Sequence, residues 1–147
     1  GGAEQLRKEF GLEIIAHALD AHYLEKGDDQ VTAASWYDSE LSPFPVDIKI
    51  RGKAADIPVG SEHIVAVHCP GHSPGSMVFL AETGGEKVLF GQDVHGPLHP
   101  GLLSNREDYL NSLKQMMDFE ADILCEGHFG VFRGKNKVRQ FIGSFLV

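Results

Sequence analysis

Apolar positions along this chain switch between a helical and a strand period, and the switches outline its elements. Ala3, Leu6 and Phe10 share one face of a helix with charges opposite, and Gly11 ends it. Leu12–Ala16 reads as a short buried strand, and a second helix runs from about Leu19 to Lys26 before Gly27. Gly27 to Pro45 holds no sustained period, although Trp36 and Tyr37 seed a short helix there. Val46, Ile48 and Ile50 then alternate with Asp47, Lys49 and Arg51, as in a strand with one wet face. Further strands are predicted over Ala55–Val59, Ile64–Cys69 and Met77–Ala81. Thr83-Gly84-Gly85-Glu86 turns the last of these back into Lys87–Phe90. Gly91 to Gly101 is a loop rich in glycine and proline. Ser104-Asn105-Arg106-Glu107 has the form of a capping box, opening a helix with Tyr109, Leu110, Leu113, Met116 and Met117 on one stripe. Ile123–Cys125 is a strand, and Val138, Phe141, Ile142, Phe145 and Leu146 mark a C-terminal helix. A strand-rich middle flanked by helices predicts a single α/β domain over residues 1–147.

Composition narrows the function classes. The chain has 147 residues, 42% of them hydrophobic, which suits one packed core. No apolar run reaches the roughly 18 residues of a membrane span, and no basic flank with an apolar stretch marks a leader. Lys and Arg number 13 against 21 Asp and Glu, a net charge of −8 that disfavours nucleic acid as a partner. Two cysteines, Cys69 and Cys125, form no disulfide framework, which fits a reducing compartment and an expected cytoplasmic location. No G-x-G-x-x-G or Walker pattern supports nucleotide binding.

Eight histidines and seventeen glycines are high counts, and they cluster together. Three segments repeat one construction, an apolar strand running into a glycine turn that carries a metal-capable side chain. They are Val65–Val67 leading to His72, Val88–Phe90 leading to Asp93, and Ile123–Cys125 leading to His128. Strand ends of a layered α/β protein converge at one sheet edge, and glycines permit the sharp turns that aim side chains inward. Two imidazoles and a carboxylate suit zinc or iron. His95 and His99, on the loop after Asp93, are candidate contacts to substrate or to an ion. His68 reads as core or as support for a ligand, while His17, Asp20 and His22 are not expected to form a compact cluster. The repeated Cys-x-x-His of Cys69/His72 and Cys125/His128 leaves a structural Cys2His2 zinc module as an alternative.

Cys69-Pro70-Gly71-His72-Ser73-Pro74-Gly75-Ser76 closely resembles the Thr-Pro-Gly-His-Thr-Pro-Gly-Ser motif of the metallo-β-lactamase superfamily. Leu89–Asp93 resembles the strand ending in that family's bridging aspartate, and Glu126-Gly127-His128 its last histidine motif. Order and spacing, 21 and then 35 residues, agree with the family. The resemblance implies a four-layer αββα sandwich, here partial, with a mixed sheet and flanking helices. It implies two ions, zinc or iron, with His72 on the first, His128 on the second and Asp93 bridging both and orienting the nucleophile. Metal-activated water would attack an ester, thioester or lactone carbonyl of a small acyl substrate.

The family signature His-x-His-x-Asp-His is absent from these residues, and Gly1-Gly2 followed by a helix matches what usually comes after it. The chain is therefore read as the C-terminal part of a longer hydrolase. Three ligands shared between two ions imply weak metal binding and no hydrolysis by residues 1–147 alone. The alternative is a non-catalytic binding or assembly protein of the same fold, for which uncovered sheet would favour a homo-oligomer.

Overall fold

Local chemistry accounts for most of the chain's turns in the computed structural model, which describes residues 2–147; Gly1 of the Gly1-Gly2 start lies outside the described residues. The first elements are α1 (Ala3–Phe10), β1 (Ile15–His17), α2 (Ala18–Lys26) and β2 (Ile48–Ile50). They are followed by β3 (Ala54–Val59), β4 (Glu62–His68), β5 (Met77–Thr83) and β6 (Glu86–Gly91). The chain ends with α3 (Arg106–Asp118), β7 (Ile123–Glu126), β8 (Gly130–Arg133) and α4 (Lys135–Gly143). Gly84 and Gly85 take φ of 60° and 80°, the two left-handed residues that a tight hairpin between β5 and β6 demands.

The larger sheet is mixed, as the resemblance implies. β1 and β2 pair in parallel, while the larger sheet has the order β3-β4-β5-β6-β7-β8, antiparallel throughout except for parallel β6 and β7. Two antiparallel steps separate β4 from β6, so β4, β6 and β7 run in the same direction and end at one edge.

Alternation along the strands divides the core. Val67, Val78, Leu89 and Leu124 face α3 and α4, meeting Tyr109, Leu113, Met116, Val138 and Ile142. The opposite face carries Ala66, Met77 and Phe79 toward Ile15 and Ile50 of the small sheet. Beyond that cover, Phe90, Cys125 and Val131 lie in register across β6, β7 and β8. Phe90 and Val131 there are 43% and 57% exposed.

Several expected boundaries move. The apolar face of α1 stays open, with Leu6 and Phe10 exposed. A bidentate pair from Arg7 to Asp47, both contacts 3.1 Å, ties this helix to the segment before β2. The first strand is Ile15–His17 and not Leu12–Ala16, because its partner in register is Ile48–Ile50. Asn105, not Ser104, caps α3, its side chain accepting from the Asp108 amide at 3.0 Å. Strand β8 has no counterpart among the elements that the sequence predicts.

His17 closes β1 and caps α2, Nδ1 accepting the Leu19 N–H at 3.4 Å. That bond places the ring proton on Nε2. The ring stacks on His68 with centroids 3.9 Å apart. Burial, followed by the neighbouring His68, lowers the His17 pKa below its ordinary 6.5.

Two stability tests follow. Leu113 is fully buried, and Leu113→Ala should cost about 3 kcal/mol in urea unfolding through the cavity it opens. For His17, the unfolded chain binds the proton more readily, so stability is complete above about pH 6.5 and falls as pH drops below it. His17→Asn should flatten the decline of Tm between pH 7.5 and 5.5, read by thermal melts across that range.

Candidate metal centre

Three turns at the shared strand edge build the site. The first, from Cys69 to Ser76 between β4 and β5, carries His72. Gly71 adopts φ of 135°, and a Cβ there would sit 2.3 Å from the Tyr109 backbone, so only glycine lets this turn lie against α3. Gly75 is equally confined, its absent Cβ 2.6 Å from the Asp20 carboxyl carbon. Polar tethers then fix the loop from three sides. Asp20 accepts from Ser73 Oγ at 2.5 Å and from the Gly75 amide at 2.7 Å. Ser112 donates to the Pro70 carbonyl at 2.7 Å and Ser104 to the His72 carbonyl at 2.5 Å. His68 Nε2 donates to the Pro74 carbonyl at 2.8 Å.

The second turn follows β6 and carries Asp93, which sits in the left-handed region at φ 47°. Aspartate tolerates that conformation better than most residues. Tyr109 Oη holds the loop by donating to the Val94 carbonyl at 2.6 Å. Burial, and then the charge of Glu126, push the Tyr109 phenol up to about 12, so it remains a donor. The third turn follows β7 and carries His128.

These turns bring His72, Asp93 and His128 together. Asp93 Oδ1 lies 2.9 Å from His128 Nε2, and its Oδ2 lies 3.5 Å from His72 Nε2. One carboxylate thus presents a separate oxygen to each imidazole. His72 Nδ1 donates to the Pro97 carbonyl at 2.9 Å, which leaves Nε2 as the ring's lone-pair nitrogen. His95 joins the group: Asp93, His95 and His128 each offer one ligand atom, all within 4.8 Å of one another. His99 does not line the neighbouring cavity. Its Nδ1 accepts from the Gly101 amide at 3.0 Å, capping a short 3-10 turn, and its ring meets Trp36 edge-on.

Sequence reasoning passed over Glu126, which has no exposed side-chain surface. Its Oε1 accepts from His95 Nδ1 at 2.9 Å, and Oε2 accepts the amides of His128 and Phe129 at 2.7 Å each. Burial works to raise this carboxyl, but the bonds from His95 and the two amides outweigh it and hold the pKa below 4.5. A charged residue closing the apolar run Ile123-Leu124-Cys125 was the available signal.

Two other chemistries lack the geometry. Cys69 is buried on the α3–α4 face, where burial pushes its thiol up to about 12. Cys125, next to Leu124 in β7, points to the opposite face, so the cysteines do not share a site. Gly71-His72-Ser73-Pro74-Gly75 spells the serine-hydrolase pattern G-x-S-x-G, yet Ser73 Oγ bonds Asp20 and Ser76 rather than an imidazole.

Beside the cluster lies a cavity of about 460 Å3. His72, Asp93, His95 and His128 border it, together with Tyr23, Leu24, Val31, Trp36, Met77 and Leu102. Among the described residues no helix is long and apolar enough to cross a membrane.

No curated protein matches the sequence. The BLEG-1 B3 metallo-beta-lactamase shares the fold at a TM-score of 0.81 and 21% identity, over 100% of this chain and 71% of that one. A Cronobacter sakazakii metallo-beta-lactamase with a HARLDQ motif gives 0.77 and 17%, over 99% of this chain and 64% of that one. An archaeal metallo-beta-lactamase superfamily protein from Sulfolobus tokodaii gives 0.72 and 16%, over 100% and 63%. The chain therefore spans about two thirds of the length of these structures, and at such identities the likeness is one of fold. A family model of the metallo-beta-lactamase superfamily matches residues 1–128. With a matching family model over most of its length and its fold, the chain belongs to the metallo-beta-lactamase superfamily.

Proposed function

We propose that these residues supply the His72–Asp93–His128 side of a two-ion centre that hydrolyses a small ester, thioester or lactone. The observation that carries the reading is the Asp93 carboxylate, with one oxygen toward each of two imidazoles. A bridging carboxylate needs that disposition, and the donor set fits zinc or iron. His72 and Asp93 would hold one ion, Asp93 and His128 the other. When bound, such ions polarise a carbonyl and bring water's pKa down to about 7.

The chain's own residues do the positioning. Asp93 fixes the spacing of the two ligand sets, and the Pro97 carbonyl holds His72 in the tautomer that can bind. The cavity beside them is walled by Leu24, Val31 and Trp36, which favours an apolar acyl group lying with its carbonyl toward Asp93. The acidic surface and two free cysteines support a cytoplasmic small-molecule enzyme with no nucleic-acid or membrane partner. Two ions need more ligands than these three. Turnover then requires a preceding segment bearing His-x-His-x-Asp-His, and none is expected of residues 1–147 alone. A second reading, assembly of copies without catalysis, is favoured by exposed Phe90 and Val131 on β6 and β8.

Assay of the chain joined to a preceding segment that bears His-x-His-x-Asp-His, with zinc or iron, on a panel of acyl thioesters and lactones tests the reading. Turnover is expected, and Asp93→Asn should lower kcat/KM by at least ~100-fold, about 2.7 kcal/mol of transition-state stabilisation. Absence of turnover with either metal would contradict the proposal and leave assembly, read as a concentration-dependent mass, as the better account.

A further inference from the structure

We propose that His95, oriented by the buried carboxylate of Glu126, is a third ligand beside Asp93 and His128. The chain then holds one divalent transition-metal ion on the His128 side by itself. The inference rests on the metal-centre reading above and adds a residue that the superfamily motifs of this sequence do not include.

Several observations converge on it. His95, Asp93 and His128 each bring a ligand atom within 4.8 Å of the other two. A tetrahedral ion with bonds of about 2.0–2.1 Å sets its ligand atoms ~3.3 Å apart, which side-chain rotations reach by opening the 2.9 Å Asp93–His128 pair and adjusting His95 from within 4.8 Å of both. His128, with its side chain 55% exposed, has room for them. The tautomer is already set: His95 Nδ1 gives its hydrogen bond to Glu126 Oε1, so Nε2 carries the lone pair. A carboxylate behind a ligating imidazole raises its basicity and fixes its plane.

The same carboxylate holds the second imidazole's turn. Glu126 Oε2 accepts the backbone amides of His128 and Phe129, so one buried side chain orients both histidines. The rings are also mutually braced, His95 lying edge-on to His128 at 4.9 Å and to Phe129 at 5.0 Å. Charge balances as well, since Asp93 and Glu126 together offset the two positive charges of the ion. Three protein ligands with an open fourth position form the commonest low-number set for zinc. The count of two ligands per ion, drawn from the motifs, therefore rises to three on this side. The His72 side stays short, so metal retention without turnover is the expected behaviour of residues 1–147.

Zinc titration of the tag-free, chelator-stripped 147-residue chain by calorimetry tests this. Wild type is expected to bind one Zn(II) per chain, His95→Gln at least about 100-fold more weakly, and Glu126→Gln about 10- to 100-fold more weakly. His63→Gln, a surface control, should match wild type. Equal affinity of wild type and His95→Gln, with Asp93→Asn and His128→Gln weakened, would overturn the inference and leave the hydrolase reading standing. No stoichiometric binding by wild type would also overturn it, since hydrolysis is judged separately on turnover by the longer protein. Unchanged affinity in Asp93→Asn and His128→Gln would sink both. If His95→Gln fails to fold by circular dichroism, nitrogen NMR of wild-type imidazoles decides: zinc must move the His95 Nε2 resonance, and a stationary signal refutes its role as a ligand.

Discussion

The shared direction of β4, β6 and β7 governs everything that happens at the site. Because β5 runs back between β4 and β6, and β6 pairs in parallel with β7, three carboxyl-terminal strand ends come to one edge. Residues separated by 21 and 35 positions in the chain thereby meet within hydrogen-bonding or near-bonding distance. Reversing any one of these strands would move its loop to the far side of the sheet. The core interleaved between this sheet and α3 and α4 keeps the strands in register, so the apolar packing of Leu89, Leu113 and Leu124 underlies the polar geometry.

On that frame, buried and half-buried polar groups convert loop backbone into fixed side-chain directions. Asp20 and Ser112 hold the His72 turn, Tyr109 holds the Asp93 loop, and Glu126 holds the His128 turn. Each of these groups is satisfied, which keeps its burial affordable and its neighbours oriented. A cavity with apolar walls then sits against the histidine–aspartate group, so a ligand there would meet a hydrophobic surface on one side and imidazole and carboxylate groups on the other.

Much of this was legible in the chain because it depends on local chemistry. Strand periods, the paired glycines of the β5–β6 hairpin and the turn around His72 all leave short-range traces. The three motif residues were readable since each terminates an apolar run at a glycine. What escaped depends on contacts between distant segments. The parallel pairing of Ile15–His17 with Ile48–Ile50 has no sequence signature, and β8 is only four residues long. Ser104 looked like a helix cap; it serves instead as a tether to His72, and the neighbouring Asn105 takes the cap. Glu126 and the His17–His68 stack were missed for the same reason. Burial decides their roles, and burial is a property of the folded chain. His95 was noticed as a loop residue, but only the Glu126 contact shows which way its ring is turned.

The most direct test of the central claim is an anomalous-difference map at the zinc edge, from crystals of this chain grown with zinc. The account predicts a peak about 2.0–2.2 Å from Asp93 and His128, with both on the same ion. Density confined to surface histidines such as His63, with no peak between Asp93 and His128, would contradict it.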